Sequence, residues 1–211
     1  MSRAGGGRPR DPAIDAAVLA ATVAVLREFG YAGFAIETVA ARAGTTKAAI
    51  RRRWPVRQRL VIDALASVLV TPPVPDKGCT RCDLTRSVQL LAEALHDRLP
   101  PRVLAPLIAD CAGDADLHQH LLAVLVQPSR HAAATAVKRA VERGDLRPDA
   151  DPELLVDLLA SVVYQRALFG DAPIDRSSAR PLVDVVLRGV AVDFERLVRI
   201  SEQPAHLRHQ H

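Results

Sequence analysis

The sequence predicts an all-α protein, with a three-helix helix-turn-helix unit at the N-terminus and a larger helical body behind it. Three observations predict this. Apolar residues recur at the i, i+3, i+4, i+7 spacing of helices through most of the 211 residues, and no strand-type alternation competes. Around Gly44 two very short helices meet at a tight turn, which a glycine in a left-handed conformation permits. The stretch TPPVPDKG, with three prolines and a glycine, then ends a helix and separates the first segment from the rest. The expected division is a flexible basic arm over residues 1–10, the helix-turn-helix domain over 11–56, and the helical body over 57–211.

Residues 2–10 hold three glycines and three arginines, too flexible and charged to pack, so an arm is expected there, with Arg8 and Arg10 free to follow a polyanion. Asp11 followed by Pro12 is a helix start signal, since Pro is tolerated at the first helical position. The first helix places Ile14, Val18, Ala21, Val25 and Phe29 near helical spacing, and Gly30 closes it. Tyr31, Gly33 and Phe34 form a corner. The second helix carries Ile36, Val39, Ala40 and Ala43 on one stripe, with Glu37 and Arg42 off it.

After Gly44, Thr45 or Thr46 is expected to cap the third helix through a side-chain oxygen. That helix has few inward residues: Ala48 or Ala49, Ile50 and the closing Trp54. Thr45, Thr46, Lys47, Arg51, Arg52 and Arg53 face outward, a set suited to base edges in the major groove and to flanking phosphates. A merely solvated basic face is the plain alternative. Against it stand the turn glycine, the hydroxyl pair and the stopping Pro55 at the same place. Charge agrees: residues 1–60 carry 11 Lys and Arg against 4 Asp and Glu, leaving 17 against 20 for the remainder, so the net +4 of the chain conceals a basic first segment.

The string FGYAGFAIETVAARAGTTKAAIRRRWPVRQRLV resembles the N-terminal domain of the TetR family of bacterial transcriptional regulators over residues 14–65. The likeness rests on the Phe-Gly-Tyr corner, the Val-Ala-x-x-Ala-Gly helix and turn, Lys47, and an aromatic-Pro pair followed by a basic residue, here Arg57. It implies DNA contact from Arg8, Arg10, Thr45, Thr46, Lys47, Arg51, Arg52, Arg53 and Arg57. Two positions depart from the family pattern: Arg51 stands where a tyrosine is usual, and Ala35 where Ser or Thr caps the second helix. The resemblance also implies that the helix after Arg57, with Leu60, Ile62, Ala64, Leu65, Val68 and Leu69, links the DNA-binding domain to a ligand-sensing one, so that its tilt sets the separation of two recognition helices.

Beyond the linker, helices are expected over about 83–99, 101–112, 114–143 with a break near Gln127-Pro128, 152–169 and 178–200. The stretch RGDLRPDADPELLVDLL with VDVVLRGV resembles a C-terminal domain found in an actinobacterial branch of the family. The last two helices are apolar on more than one face: Leu154, Leu155, Leu158, Leu159, Val162, Val163 and Phe169, then Leu182, Val185, Val186, Val190, Phe194 and Leu197. A pair of that kind needs a second partner, which the resemblance makes the same pair of another subunit in a homodimer. A monomeric core pair is the plainer alternative.

Composition excludes other classes. With 49% hydrophobic and 25% charged residues the chain reads as globular, no apolar run approaches the ~20 residues of a membrane helix, and no signal-peptide pattern opens it, so a cytoplasmic address is expected and no membrane partner. Cys79, Cys82 and Cys111 are then expected as reduced thiols. Cys79-Thr-Arg-Cys82 could bind metal or cycle as a redox pair, but four ligands are not in sight, because Cys111 and the tail residues His206, His209 and His211 are isolated; exposed linker thiols are the expectation. Asp114, Asp116, His118 and His120 read as a solvated helix start. His96, Cys111, His131, Tyr164 and Gln165, in mostly apolar helices, are candidates for polar contacts inside a ligand pocket. No nucleophile-base pair, phosphate loop or paired-carboxylate motif stands out, so neither enzyme nor cofactor is expected. The function implied is a regulator released from a palindromic double-stranded DNA operator by a small-molecule effector; the alternative is a DNA-binding architectural or partner-regulated factor without such an input.

Overall fold

The computed structural model describes residues 12–69, 73–100, 102–169 and 174–204. Among them every named element is helical, and one isolated antiparallel bridge joins Leu146 to Ala191. Arg8 and Arg10 of the expected arm, and the three tail histidines, lie outside the described residues.

The N-terminal helices run as α1 (Pro12–Phe29), α2 (Ile36–Arg42), α3 (Lys47–Arg53) and α4 (Arg57–Val68). Gly44 has φ of 62°, the left-handed value that lets α2 stop and α3 start in another direction. Of the two threonines it is Thr46 that caps α3, its hydroxyl accepting from the Ala49 amide at 3.1 Å. Ala35 gives α2 no side-chain cap, as its lack of a hydroxyl requires.

The body comprises α5 (Thr80–Glu93), a π-helical turn (Ala94–Arg98), α6 (Leu104–Cys111), α7 (Ala115–Leu121), a second π-helical turn (Leu122–Val126), α8 (Gln127–Glu142), α9 (Pro152–Phe169), α10 (Arg176–Val190) and α11 (Phe194–Glu202). Three expectations are corrected here, and the break expected near Gln127-Pro128 is found as a π turn. Helix α5 begins before residue 83 because Cys79 caps it. The helix expected from 101 begins at Leu104, after Arg102 with φ of 58° has turned the chain. The helix over 114–143 widens into a π turn just ahead of Pro128, whose ring has no N–H to continue the ordinary ladder. The last long helix, 178–200, is two: Ala191 leaves α10 in extended conformation, and Asp193 caps α11 by accepting from the Arg196 amide at 2.8 Å.

Two apolar cores hold the molecule together. The first contains Val25 and Leu26 of α1, Tyr31 and Phe34 of the corner, Val39, Ile50, Trp54, and Leu60, Ile62 and Leu65 of α4, and it continues without a break into Leu107, Cys111, Leu117 and Leu121 of α6 and α7. No packing boundary therefore falls at residue 56. The second core joins α5, α8, α9, α10 and α11 through residues such as Leu84, Val137, Leu159, Val183, Leu187 and Leu197. Its polar stitching is buried: Arg81 donates to both carboxylate oxygens of Asp184 at 2.6 and 2.7 Å and to the Ser201 hydroxyl at 2.7 Å, tying α5 to α10 and α11. Leu95, in the first π turn, packs against both cores.

The cysteines also differ from expectation. Cys79 and Cys82 form a disulfide with Cα atoms 5.2 Å apart, and Cys79 is buried rather than exposed in a linker. Its sulfur accepts from the Cys82 amide at 3.2 Å, so the pair serves as the cap of α5.

Candidate functional site

Helix α3 presents two kinds of basic residue. Arg51 and Arg52 are exposed, and neither has an ion-pair partner among the described residues. Arg53 turns the other way and pairs with Asp15 of α1, its side chain only 16% exposed. Lys47 pairs with Glu37 of α2, whose carboxyl is held below the usual range by that hydrogen bond, with the charge of Arg51 adding to it. Thr45 is half-buried and Thr46 exposed beside them. Arg57, at the start of α4, lies 4.6 Å over the Tyr31 ring and 3.5 Å from Asp110 of α6. The sequence-expected set thus divides: Thr45, Thr46, Lys47, Arg51 and Arg52 share the outer edge, while Arg53 and Arg57 are engaged with other helices.

Two polar joints fasten this unit to the body. At the first, Asp110 accepts from the Tyr31 hydroxyl at 2.5 Å and from the Gln58 amide at 3.0 Å. Burial, and then the neighbouring Asp110 carboxylate, push the Tyr31 phenol up to about 12. At the second, Asp63 of α4 takes the Trp54 indole N–H at 2.8 Å on one oxygen and meets His120 Nε2 of α7 at 2.8 Å on the other. Trp54 closes α3, so Asp63 connects the end of the basic helix to α7. A third link runs from Arg27 of α1 to the carbonyl of Arg98, at 3.0 Å.

Between the two cores lies a cavity of about 450 Å³. Its walls are the end of α4 at Leu69, the side of α5, both π turns, the start of α8 and part of α9. Most lining residues are leucine, valine, alanine or proline. Of the five sequence-expected ligand residues only Tyr164 lines it; burial pushes its phenol up. His96, His131 and Gln165 are on the outer surface, because a helix buries one side and their neighbours Leu95, Ala132 and Val163 take it. Cys111 is fully buried in the first core, where burial raises its thiol. Arg98, Gln127 and Arg130 also line the cavity and were not among the residues expected from the sequence. A signal for Arg98 was present: Val88, Leu91, Leu95 and Arg98 form one stripe at helical spacing, so a charge ends an otherwise apolar row.

Asp114 caps α7, accepting from the amides of Asp116 and Leu117, and His118 is exposed. Among the described residues no group of three or more His, Cys, Asp or Glu is placed to hold a metal ion, and no helix is long and apolar enough to cross a membrane.

A short basic helix set out from a three-helix unit, joined through polar contacts to a helical body that encloses a cavity, defines a helix-turn-helix DNA-binding regulator. The comparisons place it more closely. Residues 18–64 match the family model for bacterial regulatory proteins of the tetR family, and residues 74–186 match the model for the tetracyclin repressor-like C-terminal domain. The DNA-binding transcriptional repressor TetR of Mycobacteroides abscessus is 32% identical over 174 residues, 82% of this chain and 90% of that protein. The uncharacterized HTH-type transcriptional regulator YdeS of Bacillus subtilis is 29% identical over 185 residues, 87% of this chain and 93% of its own. The crystal structure of the TetR family transcription regulator SCO0332 superposes with a TM-score of 0.68 at 32% identity, covering 84% of this chain and 98% of that one. This chain belongs to the TetR family. It is a DNA-binding transcriptional regulator, in a family whose members are typically repressors, and not an enzyme.

Proposed function

We propose that this regulator binds a palindromic operator as a homodimer and lets go of it when a small-molecule effector enters the cavity between the two cores. The observation that carries the reading is a pair of exposed arginines without an ion-pair partner among the described residues, Arg51 and Arg52, on a helix whose far end is bonded through Trp54 and Asp63 to the body that holds the cavity. Arg51, Arg52, Lys47, Thr45 and Thr46 reach base edges and phosphates in the major groove. Lys47 exchanges Glu37 for a phosphate when it does so. Arg8 and Arg10 would follow the backbone or the minor groove. Arg53 and Arg57 hold helices in place, and their contribution to DNA binding is indirect.

The dimer forms through α9 and α10. Leu154, Leu158 and Phe169 stand exposed along α9 at spacings that keep them on one side, and Val185 of α10 and Val192 beyond it are also exposed. A row of this kind next to a second exposed apolar helix matches the self-complementary patch a two-fold dimer needs. Domain roles follow the packing: α1 to α3 read DNA, α4 with α6 and α7 transmit, and α5 with α8 to α11 sense and dimerise. Transmission is a population shift, since an effector with unequal affinity for two settings of α4 biases them, with a typical coupling of about 1 to 3 kcal/mol. A chromosomal operator places the working protein in the cytoplasm, on the nucleoid when bound.

The test is selection of bound sequences from a random DNA pool with sedimentation of the protein at the concentrations that protect the winning site. A palindrome and a dimer are expected, and Leu158→Glu should shift the dimer to monomer and weaken the footprint. A non-repeated site bound by a monomer would sink the reading.

A further inference from the structure

We propose that the effector is an amphipathic aliphatic anion, with its charge on Arg98 and its body among the apolar residues of the cavity. This rests on the reading of that cavity as the effector site. Three features of the lining lead to it.

First, the charges are unequal. Among the described residues, the charged ones that line the cavity are one acid, Asp157, and two arginines, Arg98 and Arg130. Arg130 already donates to both oxygens of Asp157, at 2.9 and 3.0 Å, and also pairs with Glu153, which does not line the cavity. Arg98 has no ion-pair partner among the described residues. Among the described residues the lining therefore offers a positive charge without a counterion, and its carboxylate is already taken up. An anion gains a charge-assisted contact here, while a cation finds no uncompensated carboxylate.

Second, the apolar wall is aliphatic. Leu91, Leu95, Leu122, Leu125 and Val156 supply it, and Tyr164 is the single aromatic residue among the described residues of the lining. Cages for quaternary ammonium and slots for stacked planar rings are built from several aromatic faces, whereas a flexible aliphatic body needs only shape and dryness. A cavity of about 450 Å³ is in the range that encloses a small ligand.

Third, the remaining polar groups suit a ligand that accepts hydrogen bonds. Tyr164 and Gln127 line the cavity, and neither side chain has a hydrogen-bond partner among the described residues. Because burial raises the Tyr164 phenol, it stays protonated and donates. Both π-helical turns border the same space, one carrying Arg98 and the other ending beside Gln127. Such turns recur at functional sites because the widened ladder displaces side chains that a regular helix would keep aligned. The ligand's anionic group, seated at Arg98, would also lie on the residue whose carbonyl receives Arg27 of α1.

The experiment compares decanoate, decanol and decyltrimethylammonium, each below its micelle range, by calorimetric titration into the full-length protein. Octanoate and dodecanoate test chain length. Decanoate is expected to bind at least about tenfold more tightly than decanol, as the loss of one charge-assisted hydrogen bond implies, and the ammonium more weakly than either. Arg98→Gln should make decanoate and decanol bind alike, and Arg98→Lys should restore much of the preference; circular dichroism and thermal unfolding report that each variant is folded. Equal binding of decanoate and decanol to the parent protein overturns the inference, as does tighter binding of the ammonium or no binding by any of the carboxylates. So does a folded Arg98→Gln protein that keeps the parent's preference. Operator selection is carried out without ligand, so a protein that recognises its palindrome yet ignores carboxylates refutes this assignment and leaves the regulator reading standing.

Discussion

Arg51 and Arg53 stand two positions apart on the same helix and meet opposite surroundings. Two residues are about 200° of helical rotation, so one guanidinium faces open solvent while the other reaches Asp15 on α1. The cavity repeats the contrast, with Arg130 saturated by carboxylates and Arg98 left without one among the described residues. A run of like residues is thus not one surface. What separates a structural arginine from one available to a partner is whether the fold has already satisfied it, and that is decided by helices distant in sequence.

The sharpest test of this contrast acts on α3. Replacing Arg51 and Arg52 together by Ala should cost about 1 to 3 kcal/mol of operator affinity for each side chain that reads a base, and about one unit of the log-log salt slope for each that touches a phosphate. Thermal stability should hardly change, since neither makes an ion pair among the described residues. Filter binding over a salt series reads both quantities. A loss of stability that matched the loss of affinity would place these arginines with Arg53 instead.

The reciprocal change has a smaller effect and a different readout. Arg53→Ala leaves Asp15 of α1 without this partner; a fully buried pair so broken costs more, but Asp15 is 31% exposed, so roughly 1 to 2 kcal/mol of unfolding free energy is expected. Denaturant unfolding measures it. Operator affinity, measured well below the transition, should fall by less than for the outer pair.

Much of the reading unit was legible in the sequence because its determinants are local. A glycine in left-handed conformation, a hydroxyl three residues before the amide it caps, and a small-residue stripe are all set within a few positions of Gly44. Arg53 and Arg57 were not legible, because their partners Asp15 and Asp110 lie 38 and 53 residues away. The break between α10 and α11 was hidden for a similar reason: periodicity runs straight through it, while Ala191 is held by pairing with Leu146 across the fold. In the cavity, Tyr164 could be named from an apolar helix alone. Choosing it over His131 and Gln165 required knowing which side α9 and α8 turn toward α5. The unbroken first core was the least accessible feature, since it joins the first helices to α6 and α7, which lie far away in sequence.

The joint at Asp110 gives the subtlest test of whether a satisfied charge is structural. Tyr31 is buried, and its phenol is raised from 10.0 to about 12, chiefly by burial and next by its bond to Asp110, with Arg57 opposing. A folded-state value above the unfolded one means that the neutral phenol is favoured by folding. The associated stability is fully present below pH 10 and is lost as pH rises from about 10 to 12. Asp110→Asn removes the carboxylate charge and retains an acceptor, so it should cost roughly 1 kcal/mol or less at neutral pH. It should also move the alkaline loss of stability part of the way back toward 10, burial remaining in place. Denaturant midpoints across the alkaline range, alongside phenolate absorbance, follow both. If the alkaline transition of Asp110→Asn coincided with that of the parent, the carboxylate would not act on Tyr31. The tie between α6 and the corner before α2 would then rest on Arg57 and apolar packing.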